Sequence, residues 1–327
     1  MLNPKLTFGL CAAATALVAS VSPAAAEVTP DEIVDAMRAA ANSQPGIRPS
    51  NAKGTCVTGR FTPTAEAAAL SKAPIFAAPT PITARMAIGG GNPRIADNTK
   101  GVARGFSMRF EYPGGETFLV LISAPVFGSS TPEQMLAAIK ANTPGPDGQR
   151  DPAKVKAFTD ANPNALRQGA WLNGRPVPAS FAGVNYWAVQ AYTLTNAKNE
   201  SAVIKFKAVP TAGELSLNDE EAKAKPANFL ADDLKERVAK GPVTFDLMAI
   251  LGQAGDITND STAMWPEESR RSVKLGTIAV SEIVPNATCD AFTFDPVVVP
   301  DGMAGPADDP LFAIRSPAYA VSITNRQ

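Results

Sequence analysis

The sequence predicts an α+β protein in which about eight mostly antiparallel strands close into a β-barrel with flanking helices. Three observations predict it. Segments 54–61, 82–86, 105–112, 117–127, 186–194, 203–209, 243–252 and 273–284 are rich in β-branched, aromatic and aliphatic residues and are bounded by turn residues. Most follow one another through short connections, which favours antiparallel neighbours, and closure removes exposed sheet edges. With 45% hydrophobic and 19% charged residues, a chain of 327 residues can bury a substantial core, while its 29 prolines favour turns over long helices.

The elements follow in order. Residues 1–26 read as a secretory signal: Lys5, an alanine-rich apolar run, and a small-residue cleavage site at Ala24-Ala25-Ala26. Bulky Leu10 before Cys11 argues against a lipid-modified cysteine. Residues 27–327 then form a single domain that is periplasmic or secreted. Residues 27–41 carry Ile33, Val34 and Met37 at helical spacing behind a Thr29-Pro30-Asp31 start. Gly89-Gly90-Gly91-Asn92-Pro93 makes a sharp loop between the second and third strands. The run 117–127 is almost continuously apolar, which suits burial on both faces. Thr131 opens a helix to about Lys140 with Pro132 in its first turn. Residues 152–159, 164–173 and 229–240 are also helical.

Composition excludes several function classes. The 30 basic and 31 acidic residues leave a net charge of −1, so no basic excess points to nucleic acid. After signal cleavage no segment has the roughly 18 uncharged apolar residues of a membrane span. The chain has no histidine, which removes the commonest metal ligand and the default general base near neutral pH. Zinc hydrolases, Ser-His-Asp hydrolases and histidine-ligated haem proteins are excluded in their usual forms. Export leaves Cys56 and Cys289, which permit one disulfide or two buried thiols.

The most informative stretch is Asp308 to Ser322. Asp309 and Pro310 read as a helix start, and Arg315 and Tyr319 stand one turn apart on one face. A guanidinium beside a phenol favours the phenolate, and tyrosinate is one of the protein ligands of haem iron. Taken alone, the pair is better read as two surface neighbours, with Pro317 kinking the helix between them.

This stretch resembles the Arg-x-x-x-Tyr proximal signature of the haem catalase superfamily. Phe294-Asp295-Pro296, Asp308-Asp309-Pro310-Leu311 and Arg315-Ser316-Pro317-Ala318-Tyr319 resemble the short, exported catalase-related peroxidases. So do Ala52-Lys53-Gly54, Gly59-Arg60-Phe61-Thr62-Pro63, Arg104-Gly105-Phe106-Ser107-Met108-Arg109-Phe110 and Pro125-Val126-Phe127. These words run in family order through nearly the whole chain after residue 26. The resemblance implies an antiparallel barrel holding ferric haem b inside it. It implies Tyr319 as the axial iron ligand and Arg315 as the partner stabilising its phenolate. Arg48, Arg85 and Arg326 match positions that hold the haem propionates, which suits arginine's planar fork.

The departures gather on the opposite, distal side. Asn51 stands where the family has its catalytic histidine. Ser123 lies near the position of a distal asparagine that is absent. Met135 replaces a phenylalanine that covers the haem. The expected function is therefore a peroxidase reducing hydrogen peroxide or organic peroxides with an unknown electron donor, weakened because an amide cannot serve as a general base. The alternative is a non-catalytic haem-binding protein for storage, transfer or sensing. An apo structural domain is disfavoured by the intact arginines and Tyr319.

Overall fold

A computed structural model describes residues 27–326 apart from Gln44, so the expected signal segment lies outside the described residues. Eight strands form the barrel: β1 (Gly54–Pro63), β2 (Thr80–Ile88), β3 (Arg104–Tyr112), β4 (Gly115–Ile122), β5 (Tyr186–Trp187), β6 (Ser201–Pro210), β7 (Val243–Leu251) and β8 (Ser272–Val284). Each pairs antiparallel with its sequence neighbour, and β8 returns to β1 to close the ring. A hairpin strand, Tyr192–Thr195, extends the sheet beyond β6 and carries the short strand Met303–Ala304.

The lumen is filled. Phe61, Phe106, Phe110, Phe206, Phe245 and Tyr186 are fully buried, with Phe106 and Phe245 rings 5.0 Å apart and Phe61 and Phe110 5.6 Å apart, edge-on. An eight-stranded barrel is just wide enough for its own inward side chains. The expected ligand position inside the barrel is thus corrected: no room exists there, and the arginine-edged cleft lies on the barrel's outer face.

Two strand boundaries also differ from expectation. The run 117–127 stops at Ile122, where the Ser123 hydroxyl accepts the Arg104 N–H at 2.9 Å and Pro125, lacking an N–H, comes two residues later. The run 186–194 is broken after Trp187, and Ala188–Ala191 crosses over before the hairpin resumes at Tyr192. Mostly apolar sequence continues through both breaks, so hydrophobicity alone could not mark them.

Three helices cover one side of the barrel: α1 (Pro30–Ala41), α2 (Pro132–Asn142) and α3 (Arg315–Thr324). Helix α1 starts in a capping box, with Thr29 accepting from the Glu32 N–H and Glu32 reaching back to Thr29. It packs on both α2 and α3. Pro317, expected to kink one continuous helix, coincides with a break at Ile314, directly after Ala313, whose carbonyl a proline four residues on cannot bond. A separate short helix, Pro310–Ala313, ends before Arg315, so Pro317 falls in the first turn of α3, where a missing N–H costs nothing. Among the described residues no helix is long and apolar enough to cross a membrane.

Candidate functional site

Strand register builds the floor of the site. Across β1 to β4, Cys56 stands opposite Arg85, Arg85 opposite Ser107, and Ser107 opposite Val120. These residues share the outer face because alternate side chains leave a strand on the same side. Above this row, Ile33, Val34 and Met37 of α1, Met135 of α2 and Tyr319 and Ser322 of α3 form a roof. Between floor and roof lies a cleft of about 1270 Å³ including its open mouth. Arg48, Asn51, Arg85, Met135, Arg315 and Tyr319, all expected as site residues, line it together.

On one side, Arg315 donates from Nη2 to the Tyr319 hydroxyl at 2.9 Å and from Nη1 to Gln190 Oε1 at 3.0 Å. Burial opposes the arginine's charge, but Tyr319, by charge and hydrogen bond, together with Tyr192 and Asp295, raises its pKa above the ordinary value. A permanently charged donor is thus fixed on the phenol oxygen. Gln190 is hidden in the sequence because it falls inside an apparent strand. A buried amide within Trp187-Ala188-Val189-Gln190-Ala191-Tyr192 is its one signal.

Asn51 faces the cleft from the loop ahead of β1. Its φ of +50° lies in the left-handed region, which asparagine tolerates better than most residues. Arg85 holds this loop, donating to the carbonyls of Asn51 at 2.5 Å and Ala52 at 3.0 Å. Among the described residues none is hydrogen-bonded to the Asn51 side chain. Ser123 does not join the group. It is absent from the cleft lining, its hydroxyl is taken by Arg104, and it borders a second cleft beside Trp171, while neighbouring Ile122 faces the first. The cleft lining contains no Asp, Glu, Lys or His among the described residues. Its ionisable groups are arginines and Tyr319.

Arginines gather at one edge. Arg48 pairs with Asp290 at 3.0 Å and donates to the Cys289 carbonyl at 2.6 Å. Arg326 is not a lining residue, but it lies close enough for its charge to act on Arg85 and for that of Arg48 to act on it; all three of its guanidinium nitrogens are buried and unpartnered, and Arg85 Nε is unpartnered too. Burial, reinforced by the charge of Arg48, pushes the pKa values of Arg85 and Arg326 down to about 10, so both stay charged at neutral pH. Buried, unpartnered cationic donors are costly unless an anion meets them. A flat ligand with two carboxylates at one edge, such as haem, satisfies this demand. An apolar cleft suits its ring, and a fixed phenol oxygen suits its iron.

Close backbone approach holds this edge. A Cβ on Gly54 would lie 2.6 Å from Arg85 Cζ and 2.7 Å from the Met86 carbonyl oxygen. Since the carbonyl cannot yield, Gly54→Ala is expected to lower the unfolding free energy by about 1–3 kcal/mol in urea titration.

A second expectation concerns Asp309, whose Oδ1 accepts the Leu311 and Phe312 N–H groups at 2.8 and 3.1 Å and so starts the turn leading to Arg315. Burial pushes its carboxyl up to about 6, against those two hydrogen bonds. The folded state therefore holds this proton more tightly than the unfolded chain. The stability it contributes is complete below about pH 4 and is lost as pH rises through about 6. Thermal melts across that window are expected to show this decline in the wild type and a flatter profile in Asp309→Asn, where the amide still caps the turn.

Known proteins share this arrangement of chain and fold. Residues 32–327 match the sequence model of the catalase family. A catalase-related peroxidase of Synechococcus elongatus is 37% identical, over 94% of this chain and 92% of its own. Another, of Mycolicibacterium paratuberculosis, is 34% identical over 91% of this chain and 95% of its own. Among solved structures, a fungal catalase superposes with a TM-score of 0.78 at 22% identity and catalase A of Saccharomyces cerevisiae with 0.78 at 21%. Each covers 87% of this chain, which spans only 60% and 62% of theirs.

Proposed function

This chain belongs to the catalase family, and from that premise we propose that it is a haem-dependent peroxidase whose peroxide turnover is weakened by the absence of a distal base. The reading rests on one observation above the rest: a phenol oxygen held by a buried guanidinium within an apolar cleft beside Arg85 and Arg326, which have no carboxylate partner among the described residues. When bound, ferric haem b supplies a Lewis-acidic, redox-active iron. Tyr319 is the residue that would hold it, Arg315 and Gln190 orient that oxygen, and Arg48, Arg85 and Arg326 would take the propionates.

The distal residues limit the chemistry. Splitting a peroxide requires a group that takes a proton from one oxygen and returns it to the other. Asn51 can orient a peroxide through its amide but does not hold a proton near neutral pH. With no Asp, Glu, Lys or His among the described residues of the cleft wall, no other group replaces it. Met135, Val120 and Phe127 make this side of the cleft apolar, which suits hydrogen peroxide or an organic peroxide. The same want of a base favours a second reading, a haem-binding protein for storage, transfer or sensing with no turnover.

We also propose that the mature chain, residues 27–327, is a single exported domain. Its Cys56–Cys289 disulfide supports an oxidising compartment.

The test is direct. Purified protein is titrated with ferric haem, followed by absorption, and peroxide consumption with a generic electron donor is compared with free haem. Saturable binding with turnover above free haem supports the peroxidase. Binding without it leaves the storage or sensing reading, and no binding overturns both.

A further inference from the structure

The Cys56–Cys289 bond occupies an unusual place. Both residues are fully buried, with Cα atoms 5.8 Å apart and 233 residues between them. Cys56 begins the strand row that forms the cleft floor, directly opposite Arg85. Cys289 sits in a five-residue helix, Asn286–Asp290, which has no side-chain cap at its start. So short a helix has little stability of its own. Asn286 ties it to β1 by accepting the Cys56 N–H at 2.9 Å and donating to the Gly54 carbonyl at 3.2 Å.

Among the described residues, segment 286–292 supplies every acceptor that Arg48 uses. These are the Cys289 carbonyl at 2.6 Å, Asp290 Oδ1 at 3.0 Å and the Phe292 carbonyl at 3.3 Å. Arg48 comes from a loop, and these three contacts aim its guanidinium. One covalent bond therefore joins the strand bearing Arg85's partner to the segment that aims Arg48.

We propose that the Cys56–Cys289 disulfide positions the cleft's arginines for a dicarboxylate edge, fixing segment 286–292 so that Arg48 and Arg85 present their donors together. This role rests on the cleft being a haem site. A bond that only braced the barrel would affect any ligand of the cleft alike. One that aims arginines affects a ligand only through its carboxylates.

Ferric haem and its dimethyl ester, which has the same ring and iron but no anionic carboxylates, separate the two. Both are titrated into wild type, Arg48→Ala and two disulfide-free pairs, Cys56→Val with Cys289→Ala and Cys56→Ser with Cys289→Ser, with folding checked by circular dichroism. In Arg48→Ala and in whichever pair folds, haem affinity is expected to fall about tenfold, the scale of one charged hydrogen bond, while ester affinity stays within twofold. Equal losses for both ligands, or loss for neither, overturn the positioning role. Loss of folding in both pairs also overturns it, making the bond a folding requirement instead. If wild type binds neither porphyrin, the haem reading fails first, whereas wild-type binding of both with no selective loss in the pairs sinks only the positioning role.

Discussion

Tyr319→Phe is expected to weaken ferric haem binding by more than about 100-fold, the upper end of what loss of a ligand's supporting partner costs. The change keeps the ring and its packing on α3 and deletes only the oxygen. It also leaves Arg315 Nη2 without the acceptor it now has at 2.9 Å, so a buried charged donor is stranded. Haem titration followed by the iron–tyrosinate absorption bands measures the loss. A circular dichroism spectrum like that of the wild type assigns it to the site and not to the fold. Unchanged affinity and an unchanged spectrum in Tyr319→Phe would place the iron on some other group.

Asn51→His is expected to raise peroxide turnover by about 10²- to 10⁴-fold, the usual worth of a positioned general base. Local backbone permits the change, because histidine shares with asparagine an elevated tolerance of the left-handed conformation held at φ +50°. The Asn51 carbonyl remains available to Arg85, since that contact is to the backbone. Gly105 leaves space beside the position, as even a Cβ there would lie 3.6 Å from Asn51 Oδ1. The gain should appear only above the imidazole pKa, near 6.5 in the absence of perturbation, where the ring is neutral and accepts a proton. Retained haem with no gain in turnover would refute the account of Asn51 as the missing base.

Much of the architecture is legible in local pattern. All eight strands can be read from the chain, because alternation and turn residues are short-range signals. Helix starts at Thr29, Thr131 and Asp309 are legible for the same reason: each carries a side-chain oxygen that accepts the N–H groups of its own first turn. Expectation fails where tertiary contacts override pattern. Ser123 ends β4 by capturing the Arg104 N–H, and Gln190 leaves an apparent strand to meet an arginine 125 residues away.

The chain's want of histidine, the one-turn spacing of Arg315 and Tyr319, and the strand-forming segments are properties of composition and of neighbours, so the sequence alone determined them. Only the closed ring decided the rest. It filled the lumen with aromatic rings and moved the cleft to the outer wall. It joined Cys56 to Cys289, and it brought residues 48, 85 and 326 to a single edge. Such convergence depends on strand register and on closure of β8 against β1, contacts between residues far apart in the chain, which no local periodicity encodes.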